Sequence, residues 1–149
     1  MKLNILLQRL SVMAVPAAAT LYCPSRPATE REQIAIFDEF INKFYFIKNA
    51  SLAFGEHVDV NYIQHNPNAL SGRQVAIDFL QDFLPTVNNT IFHKAFSNNF
   101  GYLHYRLDMP NSLPNAVVDI VRFDGTCIME HWDVVQERQP NATNPLALW

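Results

Sequence analysis

Glycine is scarce, with four in 149 residues, and none sits in a phosphate-cradling loop or a Gly-x-Ser-x-Gly elbow. That excludes the sequence signatures of P-loop nucleotide enzymes and of α/β-hydrolases. Cysteine is scarcer still: Cys23 and Cys127 make neither a disulfide framework nor a zinc pattern, and neither forms a Cys/His nucleophile pair by motif. The five histidines show no His-Glu-x-x-His spacing. No cofactor and no metal are therefore expected. Positive charge is also in short supply: the net charge is -3 and there is no basic stripe, which argues against nucleic acid as a partner. Repeats and low-complexity segments are absent, and the length suits one domain with a sizeable core.

Acidic residues are missing altogether from residues 1–29. This stretch carries Lys2, Arg9 and Arg26, is mostly apolar from Leu3 to Leu21, and contains Ala17-Ala18-Ala19. Three readings stand. Residues 1–19 form a cleaved secretory signal peptide and the protein is secreted, or the stretch is an uncleaved extension and the protein is cytoplasmic, or it is an acid-free organelle-targeting segment. Arg9 and Pro16 break the apolar run, so no membrane span is expected. The organisation read from the chain is an extension over 1–29, a domain over 30–138 and a tail over 139–149.

Phenylalanine, by contrast, is plentiful: eleven predict an aromatic interior and a greasy pocket. Thr29-Glu30-Arg31-Glu32 reads as a capping box. Ile34, Phe37, Ile41, Phe44 and Ile47 then recur at helical spacing, with Phe40 widening the stripe. Asn49 caps a short second helix ending near Gly55, and Val58 to Ile63 reads as a strand. Ser71 is positioned to cap a third helix over Arg73 to Phe83, which Pro85 stops. Four strands come next, over Thr90–Phe96, Tyr102–Leu107, Ala116–Phe123 and Cys127–Gln136. Helices first and an antiparallel sheet after them make an α+β fold, with a pocket between the layers.

Asp119 is the residue that stands out, a carboxylate inside the apolar strand Val117 to Phe123. A buried acid is either paired or functional, and apolar neighbours on its own face suit a general base. His104, on the preceding strand with Tyr102 and Arg106, is the candidate acid/base partner if the two strands are neighbours. On the return strand, one residue of hairpin register decides which side chains join Asp119. A two-residue Asp124-Gly125 turn brings Glu130 and Trp132 to that face; a three-residue turn with a bulge brings His131 and Asp133. Trp132 as pocket wall and His131 as polar contact are thus competing expectations. Tyr62-Ile63-Gln64-His65-Asn66-Pro67 is dense in hydrogen-bonding groups just before a helix, and a polar turn is its plainest explanation.

Taken together, Tyr62 to Pro67, Gly72-Arg73, Val118 to Arg122 and Glu130-His131-Trp132-Asp133-Val134 resemble the SnoaL-like polyketide cyclases of the nuclear-transport-factor-2-like superfamily. The resemblance runs from about Glu32 to Gln136. It implies a cone-shaped α+β fold, a curved antiparallel sheet packed against three helices around a deep pocket. It also implies cofactor-free intramolecular aldol condensation, with Asp119 as general base and His104 assisting. Tyr62, His65, His131 and Trp132 are the substrate-binding candidates. The expected ligand is a small apolar or aromatic, polyketide-like carbonyl compound. The superfamily also hosts isomerases, dehydratases and non-catalytic binders, and a homodimer formed through the sheet stays open.

Overall fold

Thr29 and Glu32 close the capping box in the computed structural model, which describes residues 21–149. The Thr29 hydroxyl accepts from the Glu32 N–H at 3.3 Å and the Glu32 carboxylate accepts from the Thr29 N–H at 2.7 Å. This starts α1 (Glu30–Ile41). Its buried face is Gln33, Ile36, Phe37, Phe40 and Ile41, whereas Ile34 and Ile47 from the expected stripe lie at the surface. The cause lies directly after α1, where Asn42–Phe46 form a π-helical turn. A π turn holds more residues than an α turn and rotates the positions beyond it, so Tyr45 rather than Phe44 becomes the buried side chain.

Asn49 caps α2 (Ala50–His57), its side chain accepting from Leu52 N–H at 2.9 Å, and the helix runs two residues past Gly55. β1 (Val58–Gln64) continues from it without a break. α3 (Arg73–Phe83) has the expected bounds but a different cap: Gly72 takes the cap position with φ 110°. The Ser71 hydroxyl instead accepts from Gln64 N–H at 3.1 Å, tying the end of β1 to the start of α3. Four longer strands complete the chain: β2 (Asn88–Ser97), β3 (Phe100–Asp108), β4 (Asn115–Asp124) and β5 (Cys127–Glu137).

The strands form one curved, unclosed sheet in the order β1-β5-β4-β3-β2. Its last four strands are antiparallel, but β1 pairs with β5 in parallel, so the sheet is mixed rather than purely antiparallel as expected. Residues from α3 to β4 intervene between β1 and β5, which is the long crossover that a parallel pair requires. The three helices cover one face, and the core lies where Phe37, Phe40, Tyr45 and Phe54 meet Leu103, Val117, Val121, Phe123 and Ile128. Phe37 meets Phe123 edge-on at 6.2 Å, the favoured geometry for such rings. Among the described residues no helix is long and apolar enough to cross a membrane.

Cys23 and Cys127, in which the sequence shows no disulfide framework, are bonded to each other across 104 residues of sequence. A single pair so far apart has no spacing pattern by which a sequence reveals it. The bond anchors a strap over the β4–β5 turn. Arg26 C=O accepts from Thr126 N–H at 2.9 Å, and the Ser25 hydroxyl donates to Asp124 C=O at 2.7 Å. Gly125, at φ 51°, permits this approach: a Cβ there would lie 1.9 Å from the Arg26 carbonyl oxygen. The Tyr22 hydroxyl reaches Glu39 at 2.5 Å, and burial and that carboxylate push its pKa up to about 12. The signal-peptide reading of residues 1–19 lies outside the described residues.

Candidate active site

The helices and the sheet enclose a cavity of about 560 Å³. Typical small-molecule sites span about 300–1,000 Å³. Aromatic rings from Phe40, Phe44, Phe54, Tyr62, Phe79 and Tyr105 form much of its lining, joined by Asp119, His131, Asp133, Gln64 and Asn66.

Hairpin register sets which side chains enter. Asp124 pairs with Cys127 across Gly125-Thr126, and Phe123 pairs with Ile128. Arg122 then pairs with Glu130, leaving Met129 as the extra residue of a bulge. Beyond the bulge Asp119 faces Asp133 and Val121 faces His131, so His131 and Asp133 share the face of Asp119. The turn is one residue further along than Asp124-Gly125, and the bulge lies within β5 rather than at the turn. The parity is that of the His131 alternative.

Asp119 is 8% exposed and is not left unpaired. Its Oδ2 accepts hydrogen bonds from the Tyr45 hydroxyl and, at 3.1 Å, from the Tyr105 hydroxyl. Its Oδ1 lies 3.3 Å from His131 Nε2. Burial and the neighbouring Asp119 charge hold both phenols well above their ordinary pKa, so they stay neutral donors.

The proton on His131 can be located by tracing the hydrogen bonds outward. The Asn66 backbone N–H, which can only donate, points at Gln64 Oε1 at 3.0 Å. That orients the Gln64 amide, and its NH2 group donates to the Tyr62 hydroxyl at 3.1 Å. The same Oε1 lies 3.0 Å from His131 Nδ1, so Nδ1 carries a hydrogen. Nε2 then faces Asp119 Oδ1, and one proton serves the two of them. Burial opposes charge on this imidazole, but Asp119 and then Asp133 outweigh it and raise its pKa above the ordinary value.

A raised folded-state pKa means that the folded chain binds this proton more tightly than the unfolded chain, whose histidines titrate near about 6.5. The stabilisation is complete below that pH and is lost as pH rises through the folded-state value. His57 acts in a different window: burial and Lys43 lower its pKa, so its effect is a loss of stability as pH falls below the unfolded value. In His131→Gln, stability from about pH 6 to 9 is expected to be flatter than in wild type, read by urea denaturation. Equal slopes would remove the Asp119–His131 pair as the cause.

His104 is not beside Asp119. β3 does neighbour β4, but Leu103 is the residue opposite Asp119, and His104 pairs with Val118 on the outer face. There its Nδ1 meets His93 Nδ1 at 3.0 Å and its Nε2 donates to Leu148 C=O at 3.1 Å. Trp149 docks nearby, 5.2 Å from the Arg106 guanidinium. Trp132 and His65 are also outside the cavity, stacked on each other at 4.3 Å, with His65 Nε2 3.0 Å from Glu130. Tyr62 and His131 do line it. Sequence reading passed over Tyr45 and Tyr105; it named Asp133 only as the companion of His131 in one register, and Gln64 and Asn66 only as parts of a polar turn. Alternation along β3 places Tyr105 on the Leu103 face, so that one was within reach. Tyr45 depended on the π turn and left no such signal.

Among the described residues two clusters offer ligand atoms of the kind that hold metals: Glu39 with Glu56 and His57, and Asp119 with His131 and Asp133. In the first, the Lys43 ammonium already bridges Glu39 and Glu56. In the second, an ion would have to displace the proton between His131 and Asp119. The arrangement is suited instead to proton transfer on the wall of an apolar cavity.

No family model and no curated protein matches the chain. Solved structures do. A nuclear-transport-factor-2-like protein of unknown function from Mesorhizobium loti is 16% identical with a TM-score of 0.63, covering 78% of this chain and 98% of that one. A putative SnoaL-like polyketide cyclase from Jannaschia is 12% identical with a TM-score of 0.58, covering 74% and 90%. AclR, a putative hydroxylase from Streptomyces galilaeus, is 13% identical with a TM-score of 0.59, covering 74% and 82%. At such identities the likeness is one of fold, the fold shared by nuclear-transport-factor-2-like proteins and SnoaL-like cyclases.

Proposed function

We propose, for a chain with the nuclear-transport-factor-2-like fold that SnoaL-like cyclases share, that it is an acid/base enzyme needing no cofactor for its step. It removes a proton next to a carbonyl of a small, largely apolar substrate. The observation that carries this reading is the Asp119–His131 pair on the wall of the aromatic cavity, 3.3 Å apart. Asp119 Oδ2 is committed to two phenols, but among the described residues Oδ1 has only the His131 contact and keeps a lone pair for the substrate. As Oδ1 takes the proton, the C–H electrons move onto the carbonyl oxygen. The Tyr62 hydroxyl accepts from Gln64 and donates to none of the described residues, so its O–H is free to bind that developing oxyanion. Imidazolium His131 then returns a proton. Attack of the enolate on a second carbonyl of the same molecule would close a ring, the aldol chemistry of the cyclase branch.

The test is exchange in deuterium oxide. A panel of cyclic and aryl monoketones is incubated with the protein, and deuterium at the α-carbon is monitored by mass spectrometry. The protein should accelerate incorporation, and Tyr62→Phe should slow it by about 100-fold. Incorporation at the buffer rate across the whole panel would sink the proposal. A second reading is a module that binds without turnover, favoured by the three protein contacts, from Tyr45, Tyr105 and His131, that already hold Asp119 in place. Tight binding of the panel with no exchange would support it instead.

A further inference from the structure

The charge inventory of the cavity speaks to the chemistry of its ligand. Among the described residues that line it there is no lysine and no arginine; the charged groups are Asp119, Asp133 and His131. Nearby cations are committed elsewhere. Arg73 donates to Val58 C=O at 3.0 Å, Lys43 bridges Glu39 and Glu56, and Lys48 donates to Val87 C=O. Arg106 is on the outer face, paired with Asp108.

His131 can balance one carboxylate, and Asp119 takes it. Asp133 has no cation among the described residues. Its two oxygens accept from a single group, the Asn66 amide nitrogen, at 2.6 and 2.9 Å. A carboxylate has room for about four hydrogen bonds, so Asp133 retains acceptor capacity beside the cavity. The nearest ligating atoms of Asp119, His131 and Asp133 all lie within 4.8 Å of one another. A donor group on a ligand would therefore be satisfied by Asp133 while the same molecule offers the C–H beside its carbonyl to Asp119. An anionic group would meet uncompensated negative charge in an apolar enclosure with no cation to receive it.

We propose that the substrate of this site is an uncharged ring compound with a hydroxyl donor that Asp133 binds beside the reacting carbonyl, and that carboxylic acids are excluded. This rests on the acid/base reading of the same cavity and adds its substrate class. It makes Asp133 a specificity-determining residue rather than a catalytic one.

The experiment is isothermal titration at neutral pH with four naphthalenes that differ in one substituent: hydroxymethyl, aminomethyl, methyl ester and carboxylate. None has an acidic hydrogen next to a ketone, so the outcome is separate from the exchange assay. The hydroxymethyl and protonated aminomethyl compounds should bind more tightly than the ester. The carboxylate should bind at least about 30-fold more weakly than the hydroxymethyl compound. In Asp133→Asn, that gap should shrink to within about threefold, while the ester's affinity is retained. A carboxylate that binds wild type as well as the alcohol does would overturn the proposal, whatever the variant does. So would an unchanged gap in a folded Asp133→Asn. Binding by none of the four would overturn it too, while α-carbon exchange would still decide the acid/base reading by itself.

Discussion

Replacing Cys23 and Cys127 together by serine is expected to lower the unfolding free energy by about 4 kcal/mol, the scale for a cross-link closing a loop of about 100 residues. For a chain of this size that corresponds to a fall in Tm of roughly 10–15 °C. The bond closes 104 residues and joins the strap to the first residue of β5, where Cys127 is fully buried. Its loss frees the unfolded chain and weakens the folded one. The strap holds this turn through individual hydrogen bonds, one to Asp124 and three to Thr126, each worth about 1 kcal/mol. Without the cross-link they must also overcome the entropy of ordering residues 21–29. Calorimetry and urea denaturation of wild type and double variant, both without reductant, measure the effect. A Tm shift below about 3 °C would mean that the strap docks as firmly without the bond. Disulfides of this kind form in oxidising compartments, the setting that an exported reading of residues 1–19 implies.

Much of this architecture was legible because it is local. The capping box at Thr29 and Glu32, the Asn49 cap and the bounds of α3 arise from side chains within a turn of the features they create. The positions of β2 to β5 reflect β-branched and aromatic runs between turn residues. The features that escaped were set by contacts distant in sequence or by a change of helical period. The π turn after Ile41 reassigned burial from Phe44 and Ile47 to Tyr45. The parallel pairing of β1 with β5 brought Gln64 against His131, which nothing in either segment announces. The same limit explains the site. Asp119 was conspicuous as an acid among apolar residues, but its neighbour depended on strand register. Leu103 rather than His104 stands opposite it, and the Met129 bulge turns His131 inward and Trp132 outward.

Asp119→Asn is expected to lower turnover by about 10²–10⁴-fold, the usual contribution of a positioned general base. The substitution keeps shape and hydrogen bonding. The amide oxygen can still accept from Tyr45 and Tyr105. Its NH2 group can donate to Nε2 of a neutral His131, whose Nδ1–H remains on Gln64. The buried site is therefore left with its partners, and the loss of stability should stay below about 2 kcal/mol. The variant lacks only the lone pair of sufficient basicity. His131 alone does not restore it, because its free nitrogen is then occupied by the new amide.

The most direct measurement is α-carbon deuterium incorporation into one ketone of the panel by wild type and Asp119→Asn, side by side, with a thermal melt of each. The expected result is a rate at least about 100-fold lower in the variant, with similar melting curves. Equal rates in two folded proteins would contradict the assignment of Asp119 as the base.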